Sequence, residues 1–359
     1  MPIPQYYLFI HPMDLKELKS DIWINEPVQA SLKYGKKKVE IDLAYRGSHI
    51  RKFKKKSYQI AFYKPKTFAG VHEIHLNAEY KDPSLIRNKL SLDFFADIGT
   101  LSPSSQHVQI FLNGRNEGVF LQLESVDEYF LKKRNLPNGA IFYAVDDDAN
   151  FSLISPIDKS AKKQLDSGYE RKVGSNYDSL KLADFIFQLN TALKFEFEKV
   201  IQHYLDVDKY LRWLAGVVCT QNYDGFVHNY ALYQNSETGL FEIIPWDYDA
   251  TWGRDIHGDV MEYDYVRAEG FNTLTARLLN VDAFRNHYGT ILKSIVDEKF
   301  TVEYMTPKIE QLHRLLRPYV ANDPYIKDKI ETFDQEPEFI SQFINDRNLY
   351  LRKKLSAFL

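Results

Sequence analysis

The chain has 359 residues, with 46 Lys and Arg against 49 Asp and Glu for a formal charge of −3, and is 44% hydrophobic and 26% charged. That usage excludes a disordered or fibrous protein, and no run approaches the roughly 18 consecutive apolar residues of a membrane span. The single cysteine, Cys219, excludes an intrachain disulfide and a multi-cysteine zinc site, and fits synthesis in a reducing compartment.

The N-terminal stretch MPIPQYYLFIHPMDLKE lacks a basic region ahead of a long apolar run, so no secretory signal is expected. The first part then reads as strands. KKVEIDLAYRG alternates, with Val39, Ile41 and Leu43 on one face, and KSYQIAFY does the same with Tyr58, Ile60 and Phe62. A helix is expected over 83–98, with Asp82 as N-cap, Pro83 in the first turn, Gly99 closing it and Ile86, Leu90 and Phe94 as its buried stripe. A hairpin follows, HVQIFL and GVFLQLE joined through Asn113-Gly114.

Residues 155–180 are polar and loop-like. Helical patterns then dominate in LADFIFQLNTALKFEFEKVIQHYL, VDKYLRWLAGVVCTQ, TPKIEQLHRLLRPYV and PEFISQFINDRNLYLRKKLSAF. The expectation is an α+β chain with a strand-rich lobe over 1–145 and a helix-rich lobe over 146–359, and a cleft between such lobes is a common ligand site. Between Lys33 and Lys66 there are twelve Lys and Arg but only Glu40 and Asp42 as acids. Such a surplus is either a solvated face or a seat for phosphates. Because it is mixed with the strand-like aromatics of SYQIAFY, a phosphate pocket borne on a sheet is the favoured reading.

The most informative stretch is QNYDGFVHNYALYQNSETGLFEIIPWDYDATWGRD, 221–255. Two strand-like runs, Asn229–Gln234 and Leu240–Pro245, flank a polar turn. A hairpin centred near Glu237 and Thr238 would bring Asn229 and Asp247 together at its open end, with Asp224 close by at the end of the preceding helix. Magnesium takes hard oxygen ligands, usually one or two carboxylates completed by phosphates and water. A phosphoryl acceptor needs a carboxylate for its hydroxyl proton. The protein-kinase template spaces its catalytic Asp and metal-binding Asn as D-x-x-x-x-N, the spacing of Asp224 and Asn229. Asp224 is therefore the candidate base, Asn229 and Asp247 the candidate metal ligands, and Asp249 an additional one. The same residues also fit turn and cap positions on a surface hairpin. No His-Arg precedes Asp224, DYD replaces DFG, and no G-x-G-x-x-G precedes the first strands.

In combination, RGSHIRKFKKKSYQIAF (46–62), NAEYKDPSLIRNKLSLDFF (77–95), FLNGRNEGVFLQLESVDEYFL (111–131), NYDGFVHNYALY and IPWDYDATWGRD closely resemble the spore coat protein H (CotH) family of Bacillus-type spore formers, over essentially the whole chain. The resemblance implies an atypical protein kinase-like two-lobed fold with an ATP cleft between the lobes. It also implies transfer of the ATP γ-phosphate to Ser residues of other spore coat proteins, with magnesium or manganese as cofactor, in the mother-cell cytoplasm and then the spore coat. Neither nucleic acid nor membrane insertion is expected. Asp224 then corresponds to the family's catalytic Asp and Asp247 to its metal-binding Asp.

Phosphate contacts are expected from Arg46, Arg51, Lys55 and Lys56. Lys56 is favoured as the kinase-type lysine because on a strand it would share a face with Tyr58 and Ile60. The helix over 83–98 holds no Glu, so either Glu124 is the partner of that lysine or the usual ion pair is absent. Arg87 and Asn88 either bind phosphate or brace their helix. Tyr143 and Trp246 are adenine-stacking candidates. Asp146, Asp147 and Asp148 attract a basic substrate or face water, with water favoured. Cys219 is expected in the core, His228 as a proton relay or, the favoured reading, in a structural hydrogen bond to backbone, and Arg254 beside phosphate or bracing its own segment. Two other readings compete: a non-catalytic kinase-like scaffold for coat assembly, and a metal-dependent phosphohydrolase.

Overall fold

The alternation in KKVEIDLAY and YQIAFYK builds two strands of a closed barrel in the computed structural model, which describes residues 2–68 and 70–359. The barrel order is β1 (Gln5–Ile10), β2 (Val28–Tyr34), β3 (Lys37–Tyr45), β4 (Tyr58–Lys64), β5 (Glu73–Asn77), β7 (Arg115–Glu124) and β6 (Ser105–Leu112), and β6 closes on β1 as a parallel pair. Its inward residues are the expected ones: Val39, Ile41 and Leu43 of β3 and Tyr58, Ile60 and Phe62 of β4 are buried with Tyr6, Leu8 and Ile10 of β1. The β6–β7 turn is Asn113-Gly114 with both residues at positive φ, 48° and 80°, the primed geometry that matches strand twist. The short helix α1 (Pro12–Ser20) follows β1 and buries Leu18.

Helix α2 (Arg87–Asp97) starts four residues later than expected because Leu85 is left-handed at φ 58°. Asp82 still caps it, its carboxylate accepting the Arg87 N–H at 2.9 Å. At the other end Gly99, with φ 81°, closes the helix as expected, and Ile86, Leu90 and Phe94 are buried.

A four-stranded sheet, ordered β11 (Phe241–Pro245), β10 (Tyr230–Asn235), β8 (Gly139–Ala144), β9 (Tyr169–Val173), organises the second unit. Helix α3 (Glu128–Lys133) precedes it. The helix expected over 182–205 is two: α4 (Asn176–Thr191) and α5 (Phe197–Ile201), interrupted after Ala192. Strand β9 and the start of α4 occupy part of the stretch read as loop. Helix α6 (Val207–Thr220) is buried from Trp213 to Thr220, because WLAGVVCT carries no charged residue on any face and suits a central helix. Cys219 lies fully inside it, its thiol pushed well above the usual range by burial. Helices α7 (Thr273–Leu279), α8 (Asp282–Glu298), α9 (Val302–Val320) and α10 (Ile330–Lys354) complete the described elements.

The chain divides into two compact units, and the division differs from a single boundary at 145. One unit holds 1–89, 103–125 and 307–339, and the other 90–102, 126–306 and 340–359. Residues 126–145 go with the second unit because β8 pairs with β10. Residues 307–339 go with the barrel unit through Asp323, described below.

Candidate functional site

In the second unit, helix α6 ends at Thr220, and Gln221 takes a left-handed φ of 61°. Asp224 does not close that helix; it opens a separate 3-10 turn over Asp224–Phe226. Its carbonyl accepts the N–H groups of Val227 and His228, each at 2.9 Å. Strand β10 then starts at Tyr230, paired with Pro245 of β11.

That register is one residue off the expected one. Asn229 stands opposite Trp246, whose N–H donates to the Asn229 carbonyl at 3.1 Å, so Asp247 is one position beyond the cross-strand pair. The backbone changes what this offset means. Asn229 and Asp247 both sit at φ 60°, a left-handed conformation that Asn and Asp tolerate better than other residues with a Cβ. Each therefore breaks the strand alternation at matching ends of β10 and β11. Asp224, Asn229, Asp247 and Asp249 are all partly exposed, while the interleaved Trp246 and Tyr248 are buried. Among the described residues no three His, Cys, Asp or Glu side chains gather closely enough to hold a metal ion by themselves.

Beneath these residues lies a support that sequence reasoning missed. Asn222 is buried, and its Oδ1 accepts the Gly225 N–H at 3.1 Å. A Cβ at Gly225 would stand 3.3 Å from the Tyr248 hydroxyl and 3.4 Å from the Asn222 amide. The turn carrying Asp224 and the segment carrying Asp247 and Asp249 therefore pack against each other through one glycine, one amide and one phenol. The available sequence signal was an aromatic residue between two carboxylates.

The two adenine candidates form one cluster. Tyr143 and Trp246 meet edge to face with ring centres 5.1 Å apart, and the Tyr143 hydroxyl accepts the Val126 N–H at 2.7 Å. Nearby, Asp147 faces His228, with Nδ1 to Oδ1 at 3.1 Å, and Asp146 Oδ1 accepts the Asp148 N–H. Arg254 donates to the Gly258 carbonyl at 2.9 Å, which steadies its own segment.

In the barrel unit, the basic candidates are engaged by the protein. Lys55 is fully buried, its Nζ 3.4 Å from Asp323 and donating to the Val119 carbonyl. Burial pulls its ammonium below the ordinary value, opposed by Asp323. Asp323 also accepts the Val119 N–H at 2.8 Å, so one carboxylate ties residues from the start and the end of the chain to β7. Lys56 precedes β4, so the strand alternation does not orient it; its Nζ donates to the Arg51 carbonyl. Arg51 donates to Gly47, Ile22 and the Asn25 side chain, and Arg46 donates to Asn77.

Arg87 lies fully buried between Asp82 and Glu336, at 2.6 Å from each. Against the desolvation that pulls it down, these two acids hold its guanidinium above the usual value. Asn88 donates to Glu79 at 3.2 Å. Of the two roles expected for Arg87 and Asn88, these partners are those of a brace. Glu124 accepts the Ser104 N–H at 2.9 Å, and the acid beside Lys55 is Asp323.

A model of the family described as CotH kinase protein matches residues 43–351. The inner spore coat protein H of Bacillus subtilis (strain 168) is 60% identical over 354 residues, covering 99% of this chain and 98% of that protein. Among solved structures, the Shewanella oneidensis HipA–HipB toxin–antitoxin complex with operator DNA aligns with 98% of this chain and 75% of its own, at 12% identity and a TM-score of 0.37. The Helicobacter pylori proinflammatory kinase CtkA aligns with 84% of this chain and 95% of its own, at 9% identity and a TM-score of 0.33. Scores this low carry no argument about the present fold.

Proposed function

The chain belongs to the CotH family, and from that premise we propose that it is an atypical protein kinase with a kinase-like fold, transferring the ATP γ-phosphate to Ser residues of spore coat proteins. The observation that carries the reading is the pair of left-handed residues, Asn229 and Asp247, at matching ends of β10 and β11, with Asp224 on the turn that leads into the first strand. The name of the Bacillus subtilis relative supports a place in the spore coat.

The donor set fits magnesium or manganese. Asp247 and Asp249 offer carboxylate oxygen and Asn229 an amide oxygen, the few-ligand arrangement of an ion that keeps positions for phosphate and water. When bound, the ion supplies charge neutralisation of the phosphates. Asp224 orients the serine hydroxyl and accepts its proton. Tyr143 and Trp246 wall the adenine. Lys55 and Arg87 act through packing, since their partners are buried carboxylates.

The test is incubation of purified protein with labelled ATP, magnesium and a Ser-rich coat polypeptide. Labelled phosphoserine that requires the divalent ion supports the reading, and no label on the polypeptide contradicts it. One observation favours a scaffold instead: the ammonium groups of Lys55 and Lys56 are both engaged by protein oxygens. A scaffold should show no magnesium-dependent rise in melting temperature with ATP, whereas an enzyme at saturating ligand should gain about 2–4 kcal/mol of apparent stability.

A further inference from the structure

The outer face of the barrel carries a row of side chains that the phosphotransfer site does not use. Phe111 of β6, Tyr7 of β1, Lys33 of β2 and Lys38 of β3 are successive register partners, so they lie side by side across four neighbouring strands. Tyr7 and Phe111 stack at 4.9 Å with planes 13° apart, and Tyr7 is still 43% exposed. Phe9, on the same face of β1, is 54% exposed. Lys36 and Lys37 continue the positive charge at the β2–β3 turn, and Glu40, on the same face of β3 as Lys38, stands one row further on. Among the described residues, none of Lys33, Lys36, Lys37 and Lys38 makes an ion pair. Lys33 directly opposite Lys38 is a destabilising arrangement, which an anionic partner would relieve.

The same chain holds the complementary surface. Residues 255–266, DIHGDVMEYDYV, contain Asp255, Asp259, Glu262 and Asp264 and neither Lys nor Arg. They also expose apolar and aromatic side chains: Ile256, Val260 at 66%, Tyr263 and Tyr265 at 57%. Four unpaired lysines beside exposed aromatics thus match four acids interleaved with exposed aromatics. We propose that the outer row on β6, β1, β2 and β3 is the docking surface for a second copy of the chain, which presents its 255–266 segment. The two surfaces differ, so the contact is head to tail; it leaves one surface free at each end and extends into open assemblies.

Sedimentation velocity of the full chain over a concentration series tests this. The expected result is a weight-average mass that rises with concentration at low ionic strength and falls back to monomer at high ionic strength. Lys33→Glu/Lys38→Glu and Asp259→Lys/Glu262→Lys should each be monomeric alone, and an equimolar mixture of the two should associate again. Tyr7→Ser, which leaves the charge untouched, should weaken association about tenfold, one order-of-magnitude step in affinity. Lys33→Glu/Lys38→Glu exchanges one like-charge cross-strand pair for another, so its melting temperature should stay close to wild type; this separates loss of docking from loss of fold. A wild-type protein that stays monomeric at every concentration overturns the proposal. So does a mixture that fails to re-associate, or a row that binds a single-stranded oligonucleotide while the protein remains monomeric.

Discussion

Asn229 and Asp247 share a backbone conformation that an ordinary residue adopts only at a cost of roughly 1–2 kcal/mol. This lets conformational and chemical roles be separated at one position. Asn229→Gly keeps the left-handed turn at no steric cost, so its melting temperature should stay close to wild type while phosphotransfer falls. Asn229→Ala should lose both. Equal activity in Asn229→Gly and wild type, measured at limiting magnesium, would reduce Asn229 to a turn residue.

His107 makes a second prediction at this scale. It is buried on β6, with Nε2 donating to the Leu85 carbonyl at 2.7 Å and Nδ1 without a partner among the described residues. Burial pushes its pKa down to about 4 from an ordinary 6.5. The folded state then binds fewer protons than the unfolded state between those values. Its contribution is fully present above pH 6.5 and is lost as the pH falls towards 4, with a total of roughly 3 kcal/mol. Urea unfolding at pH 7 and pH 5 should show this slope, and His107→Gln should flatten it; an unchanged slope would mean that other groups carry the acid sensitivity.

Among the elements, the one with the most consequence is the segment after α9, which Asp323 joins to β7 and to Lys55. Removing one partner of a buried ion pair leaves an uncompensated charge and costs about 3–5 kcal/mol, whereas replacing both with apolar groups is often neutral or better. Lys55→Met should therefore be strongly destabilised, and Lys55→Met/Asp323→Leu should recover part of that loss in a thermal melt. No recovery in the double variant would mean that the Val119 and Tyr325 N–H groups, which Asp323 also accepts, carry the cost.

The elements also show where local pattern suffices. The faces of β3 and β4, the Asn113-Gly114 turn and the Gly99 stop were legible because alternation and turn chemistry act over a few residues. The capping box of Ser175 and Asp178, which starts α4, is equally local and lies inside the polar 155–180 stretch, where composition alone points to a loop. The β10–β11 register was displaced by one because residues 236–240 form the turn, and alternation alone does not count a turn. The α2 start moved because one leucine is left-handed. The partner of Lys55 was out of reach of local pattern: Asp323 is 268 residues away. The candidate acids Asp224 and Asp247 were legible as spacing, but Asn222, Gly225 and Tyr248 beneath them depend on packing that spacing does not describe.

For the molecule as a whole, the units interleave along the sequence, so the barrel unit is completed only by residues 307–339. A chain truncated before α9 should therefore lose Asp323 and Glu336, the buried partners of Lys55 and Arg87.

The account rests on the chemistry of Asp224, Asn229 and Asp247 in a member of the CotH family. The measurement that tests it most directly is the rate of phosphate transfer from ATP to a serine-containing coat polypeptide, compared for wild type, Asp224→Asn and Asp247→Asn with folding checked by thermal melt. The account predicts divalent-dependent transfer in wild type and a loss of about a hundredfold or more in each variant at unchanged fold, the scale of removing one preorganised electrostatic group. Transfer at the wild-type rate in folded Asp247→Asn would contradict it.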